Sequence, residues 1–434
     1  MSITSKNHTI VLVDGCRIPF QRSGTGYLHF RAYDLARFAI RGLINRTKID
    51  PGHIDRVIFG SAIQDIHTIN VARDAMLGAT LPATIPAHTV SMACLSSHQA
   101  ITSGMEQIKS GQAEVVLAGG VDTLSGYFKR SVRSSRDVPS KKASGRKSKN
   151  HLRQLMPFRS QNPLQEIPVT TEFSTGESMG VFTDRMASIF DISRESQDAY
   201  AVRSHQSAFR AYENHLINEE LVPVTGPPDF DPVTQDNGIR RDCTLQKLAS
   251  LKPSFTNSHG TVTAGNSSFY SDGAAALLLM TEEKADKLGL EPKARLTHYT
   301  YSAQEPKDHL LLGQAYAIPP LLDRVRIKPE DVGVFELHEV FSGQILAVLK
   351  ALASDDFAKN RLGKKKKVGV IPLKSLNTLG GSLAFGHPFG ATGARLVITA
   401  ANRLLREKSK YALVSSCASG GQGHAMLLEP VSQT

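Results

Sequence analysis

Short apolar runs rich in β-branched residues alternate along the chain with longer stretches whose apolar positions recur every three to four residues. The runs "IVLVDGCRIPF", "IDRVIFGSAI" and "AEVVLAGGVD" read as strands. "AYDLARFAIRGLINRT" and "SRESQDAYAVRSHQSAFRAYENHL" have helical spacing. Strands separated by helix-length segments predict βαβ units and an α/β fold with mixed, mostly parallel sheets. No apolar run is long enough to cross a bilayer. The residues ahead of Ile10 contain neither a secretory apolar core nor an Arg-rich amphipathic leader.

The pattern repeats. "KIDPGHIDRVIFG", from Lys48, matches "RIKPEDVGVFELH", from Arg326, in its Ile-x-Pro opening and following strand, and a helical pattern precedes each. Cys94 and Cys417 both follow an apolar strand and precede small residues. These matches predict a duplicated domain with the two cysteines at equivalent strand ends, facing each other across a pseudo-twofold axis. The expected organisation is a first half over 1–122, a lobe over 123–270, a return to the first half over 271–288, and a second half over 289–434. A connection as long as 123–270 predicts a small lobe covering a site, since simple loops are far shorter.

Charge changes this picture at one place. The formal charge is +11, from 51 Lys and Arg against 40 Asp and Glu, and segment 129–153 holds most of the excess. The basicity therefore belongs to an insertion in the lobe. No aromatic residues interleave with it, which argues against nucleic-acid binding.

Candidate chemistry clusters at predicted strand ends. Cys94 in "SMACLSSHQA" stands where a helix is expected to begin, and free N–H groups there would lower its thiol pKa toward neutrality. The competing reading is a buried cysteine serving as a small hydrophobe. His387 lies in "NTLGGSLAFGHPFGATGAR", among glycines that let the backbone approach a ligand closely; a structural histidine is the alternative. No Lys-Ser/Thr follows, so a nucleotide loop is weak. In "SSCASGGQGHAM" a glycine turn after Cys417 could present backbone N–H groups as an oxyanion hole. His338 and Glu339 in "FELHEVFSGQ" have no second histidine one turn on, so they do not form a zinc helix. The four cysteines show no metal-ligand spacing, which points to free thiols and a reducing compartment.

Together "SMAC", "GTVTAGNSSFYSDGAAA", "HEVFSGQ", "GHPFGATGAR" and "CASGGQGHAM" resemble the thiolase family, in that family's order and across almost the whole chain. His-Glu where many members have Asn-Glu, with the basic insertion, is similar to the β-subunits of fatty-acid-oxidation trifunctional complexes. The resemblance implies two βαβαβαββ halves in a five-layered α-β-α-β-α arrangement with an inserted loop domain. It implies degradative cleavage of a 3-ketoacyl-CoA by CoA, with CoA as co-substrate and neither cofactor nor metal. Cys94 would be the acylated nucleophile, His387 its base, Cys417 the second acid–base thiol, and His338 part of a first oxyanion hole. The backbone N–H groups of Cys94 and Ser419 would form a second hole, although Ser419 stands where many members have glycine. Ser268, Ala264, Met179 and Phe341 would line the CoA tunnel.

The resemblance further implies a homodimer or higher oligomer and a hydratase/dehydrogenase α-subunit as partner. For segment 129–153 an anionic membrane surface, capture of CoA phosphates and a solvated loop remain open. The implied location is mitochondrial in a eukaryote or cytoplasmic in a bacterium, ahead of a peroxisome-like organelle. Rival functions are an acetoacetyl-CoA-forming thiolase and a non-catalytic lipid-associated scaffold. His98 is expected on a helix face, with modulation of Cys94 as the alternative, and "LGKKKKVGV" in a solvated loop.

Overall fold

The computed structural model describes residues 9–126, 171–228, 230–256 and 259–431. The basic insertion over 129–153 lies outside them. The described strands are β1 (Ile10–Arg17), β2 (Gln21–Arg22), β3 (Arg56–Gly60), β4 (Ala87–Val90), β5 (Val115–Asp122), β6 (Ser271–Thr281), β7 (Ala294–Ala303), β8 (Val334–Leu337), β9 (Ala412–Ala418) and β10 (Gln422–Glu429). They pair in the order β4-β3-β5-β6-β1-β7-β10-β9-β8, and β2 adds to β6. The join between β1 and β7 is short, with Val11 opposite Arg295 and Leu12 opposite Ala294. The sheet is thus two sheets touching at one corner.

The halves share one plan. β5 lies between β3 and β6 as β9 lies with β8 and β10, and β1 closes the first set as β7 closes the second. The helices Ala32–Thr47 and Gly313–Val325 both end on a left-handed residue, Lys48 at φ 53° and Arg326 at φ 56°. Each is followed by a one-turn 3-10 helix, Pro51–His53 and Pro329–Asp331, in which proline fixes the first position. The Ile-x-Pro match is the sequence trace of this shared turn.

Strand direction differs from the expectation. β3 runs parallel to β4 and β5, and β8 to β9, but the other pairings between the named strands are antiparallel. Helical crossovers impose parallel neighbours, whereas β9 returns as β10 through a tight turn and must reverse. The equivalence of the two cysteines is also corrected. Cys94 precedes the helix Ser96–Lys109, whose counterpart in the second half is Phe389–Arg406, so the residue equivalent to Cys94 is His387. Cys417 lies within β9, whose counterpart is β5.

Alternation along the strands builds the layers. In β1, Val11 and Val13 pack with Leu35, Ala39 and Ile40 of the outer helix, while Ile10 and Leu12 face Ile101 and Ile398 of the central helices. In β9, Leu413 and Cys417 face outward to Ala315, Ile318 and Val348, while Ala412 and Val414 face the centre. The result is helix, sheet, paired helices, sheet, helix. The central helix Phe389–Arg406 is buried from Phe389 to Leu404; most of that stretch is small or apolar, and its buried Arg395 and Arg403 pair with Glu336. Burial of each large apolar side chain there stabilises by roughly 1.5–3 kcal/mol. Arg17 at the end of β1 ties the inserted region to this core through Glu220 at 2.7 Å and Asp236 at 2.6 Å.

Candidate active site

Both central helices begin at the same edge of the sheets, and a sharp turn precedes each. Before Ser96–Lys109, Ala93 is held at φ 48°. Ser96 Oγ accepts from Met92 N–H at 2.9 Å and donates to Ala93 O at 2.6 Å, fixing a conformation that alanine adopts at a cost. Cys94 follows with part of its surface open. The helix proper starts at Ser96, so the thiol stands on the turn and not in the first helical residue. Before Phe389–Arg406, Gly386 sits at φ 97°, where a side chain would meet Ser271 Oγ at 2.1 Å. His387 follows, its N–H donating to that same hydroxyl at 3.0 Å.

The two turns meet. Cys94 Sγ lies 3.1 Å from His387 Nε2, and His338 Nε2 lies 3.2 Å from the same nitrogen. Thr392 Oγ1 donates to Pro388 O at 2.9 Å and stands 2.6 Å from His387 Nδ1. Its hydrogen being committed, the hydroxyl accepts from Nδ1–H, which leaves Nε2 as an acceptor. The facing nitrogen of His338 must then carry hydrogen, and its Nδ1 accepts from Ser382 Oγ at 2.9 Å. Arg395 donates to Ser382 Oγ at 3.2 Å and completes an unbroken donor–acceptor chain. The single lone pair on His387 Nε2 thus faces two donors, the Cys94 thiol and His338 N–H.

Burial keeps both imidazoles and the thiol neutral beside the charged Arg395. Burial, then the nearby Arg395 charge, holds His387 down to about 3, and burial, His387 and Arg395 hold His338 well below the usual imidazole range. Burial and the Asp122 carboxylate push the Cys94 thiol up to about 12. The backbone N–H groups of Cys94 and Ser419 point at the sulfur and pull the other way without prevailing. This overturns the expectation of a thiol lowered toward neutrality, because desolvation outweighs the helix terminus. Cys417 is wholly buried, and burial followed by the charge of the neighbouring Cys94 raises its pKa.

Asp122, at the end of β5, binds the loops together. It accepts from Ser61 Oγ at 2.8 Å, from Ile63 N–H at 2.9 Å and from the N–H groups of Ala62 and Gly390, yet burial raises it to about 6. Glu339, beside His338, accepts from Tyr200, Ser204 and Asn377 and so anchors the lobe helix Arg194–Glu213 under the site. Thr392, Ser382, Arg395 and Asp122 were not singled out from sequence. Thr392 and Arg395 lie in the quoted glycine-rich run, three positions apart and so on one face of the helix that follows His387.

A cavity of about 660 Å³ opens beside the thiol, bounded by Ser91, Ala93, Ser419, Gly420 and the segment Thr171–Gly176. Glu172 closes one wall by accepting from Gly420 N–H at 2.8 Å, and Phe173 is fully exposed there. The four expected CoA contacts sit on the lobe side. Ser268 N–H donates to Val340 O at 2.8 Å, which sets that strip beside the His338 strand end. Phe341 packs edge-on to Phe255 at 6.0 Å, and Phe255 also covers Gly180, next to half-buried Met179. Ala264 is exposed. His98 lies on a face of the helix Ser96–Lys109 and is wholly buried there. Of the lysine run, Lys364 pairs with Asp323 while Lys365, Lys366 and Lys367 are exposed. Among the described residues no group of three His, Cys, Asp or Glu side chains forms a metal site. No helix among them is long and apolar enough to cross a membrane.

The thiolase N-terminal domain family matches residues 10–283 and the thiolase C-terminal domain family residues 290–430. The mitochondrial trifunctional enzyme subunit beta of Bos taurus is 50% identical over 420 residues, covering 97% of this chain and 88% of its own. A 3-ketoacyl-CoA thiolase of Yersinia enterocolitica is 38% identical over 435 residues, 98% of each chain. The crystal structure of human mitochondrial 3-ketoacyl-CoA thiolase in complex with CoA superposes with a TM-score of 0.83 at 29% identity, covering 98% of each chain.

Proposed function

The chain belongs to the thiolase family, and from that premise we propose how its thiols and imidazoles divide the reaction. It is a degradative 3-ketoacyl-CoA thiolase, an acyltransferase of fatty-acid β-oxidation. Cys94 is the nucleophile. As its sulfur attacks the 3-keto carbon, the thiol proton passes to the free Nε2 of His387, so no standing thiolate is needed. The tetrahedral oxyanion is held by the N–H groups of Cys94 and Ser419.

Cleavage of the Cα–Cβ bond leaves the acyl group on Cys94 and an enolate of acetyl-CoA. The thioester oxygen of that enolate faces His338 Nε2–H and the now protonated His387. Cys417, kept as a thiol by burial, gives its proton to the enolate carbon, and acetyl-CoA departs. The incoming CoA thiol returns a proton to the Cys417 thiolate and attacks the Cys94 thioester. The sulfur of Cys94 leaves and recovers its proton from His387. Ser268, Ala264, Met179 and Phe341 hold the CoA arm, and the cavity beside Phe173 receives the acyl chain.

The trifunctional relatives support an α-subunit that delivers 3-ketoacyl-CoA, an oligomeric assembly and a mitochondrial location for this chain. The observation that carries the reading is the 3.1 Å contact between Cys94 Sγ and an imidazole nitrogen that has only a lone pair to offer. Peptide mapping after incubation with a long-chain 3-ketoacyl-CoA tests it. An acyl thioester should appear on Cys94 and vanish in Cys94→Ala; equal labelling of that variant would overturn the assignment.

A further inference from the structure

His98 is the third residue of the helix that follows Cys94, and its ring crosses to the other half of the molecule. Nε2 lies 2.9 Å from Ser416 Oγ, and the ring stacks on His424 with centroids 4.2 Å apart and planes 28° apart. Ser416 and His424 stand directly opposite each other in the β9–β10 ladder. One imidazole of the first half is therefore seated on a cross-strand pair of the second. Gly393 of the neighbouring central helix comes so close that a side chain there would meet His98 Cδ2 at 2.6 Å, so the ring has no room to turn away. Tyr301 closes the far side against His424 at 4.8 Å.

Strand periodicity gives this seat a consequence. Ser416 projects into the central layer with Ala412 and Val414, while Cys417, the next residue, projects to the opposite face. The peptide between them is shared, so fixing the Ser416 side chain against the helix fixes the depth of Cys417. The same helix carries Cys94 at its mouth. Burial holds His98 down to about 3, so the contact to Ser416 is one between neutral groups and persists through the physiological range.

We propose that His98 is a positioning residue that sets the separation of the two thiols by clamping the end of β9 to the helix behind Cys94. This rests on the division of labour between Cys94 and Cys417 given above. The two half-reactions depend on the clamp unequally. Acylation by a donor with a good leaving group needs Cys94 and His387, which lie outside the clamp, and shares with it only the oxyanion-hole N–H of Ser419, three residues past Ser416. Proton delivery to the acetyl-CoA enolate needs Cys417 at its proper depth.

The test uses the full chain as His98→Gln, His98→Ala and Ser416→Ala. Two rates are compared: the acylation burst with a p-nitrophenyl acyl ester, and solvent deuterium exchange into the methyl group of acetyl-CoA. Misplacing a reacting group by about 1 Å costs up to ~10²-fold, so exchange should slow roughly tenfold or more in His98→Ala and Ser416→Ala. The burst should fall by no more than about threefold, less than exchange, because His98 and Ser416 touch neither Cys94 nor His387 and only the Ser419 N–H adjoins the clamp. His98→Gln, whose amide still reaches the Ser416 hydroxyl, should recover part of the exchange rate. Ser416→Ala removes a single oxygen and decides the matter if His98→Ala does not fold. Unchanged exchange in Ser416→Ala, or burst and exchange falling together, would overturn the proposal. Absence of a burst in the parent protein would instead strike the acyl-enzyme reading on which it rests.

Discussion

The turn that leads into Ser96–Lys109 and the turn that leads into Phe389–Arg406 occupy the same place in the two halves. In each a residue of positive φ, Ala93 or Gly386, is followed by the reactive one, Cys94 or His387. The first half offers a sulfur that must lose a proton, and the second an imidazole that can take it. The first turn is built around a strained alanine and a serine hydroxyl, the second around a glycine pressed on Ser271. A duplicated backbone supplied two converging positions, and different residues at them made one acid and one base. Pseudosymmetry accounts for their meeting at 3.1 Å although 293 residues separate them.

The comparison breaks most severely if the second turn loses its acceptor. His387→Ala should slow the acylation burst by about 10²–10⁴-fold, the range for a positioned general base, measured at a temperature where the variant is folded. A rate within about threefold of the parent, well under that range, would mean that the Cys94 proton leaves by another route.

The fold was legible where local sequence dictates local structure. "AYDLARFAIRGLINRT" coincides with the helix Ala32–Thr47, and Ile-x-Pro marks the left-handed helix end and 3-10 turn of each half. Strand direction was not legible, because periodicity reports which face is buried and not which neighbour is hydrogen-bonded. Pairing Cys94 with Cys417 went astray because residue type was matched in place of topology; the true counterpart of the thiol is a histidine. The motif residues Cys94, His387 and His338 could be quoted from sequence. The state of the thiol could not, since it depends on how deeply the fold buries it and then on Asp122 at the end of a different strand. The tautomer was equally hidden, because it depends on a Thr392 hydroxyl whose own hydrogen is already spent.

A smaller effect separates the turns by pH. The folded pKa of His387 lies far below its unfolded value, so its stabilising contribution is present above about 6.5 and is lost as pH falls from there toward about 3. His98, His338 and His424, buried in the same region and lowered likewise, add to it. The folded pKa of Cys94 lies above its unfolded value, so its contribution is complete below about 9 and is lost as pH rises toward about 12. Unfolding free energies from urea titrations should therefore fall between pH 7 and 5 by up to ~1.4 kcal/mol per pH unit for each proton taken up on unfolding. In His387→Ala that acid slope should shallow while the alkaline slope stays. Identical acid slopes in parent and variant would show that His387 is not held neutral by burial.

The proton on the His387 ring tests the account most directly. Neutron diffraction from deuterium-exchanged crystals near pH 7 should place deuterium on Nδ1, toward Thr392, and none on Nε2, toward Cys94. Deuterium found on His387 Nε2 in the resting protein would leave the Cys94 thiol without an acceptor and contradict the proposed mechanism at its first step.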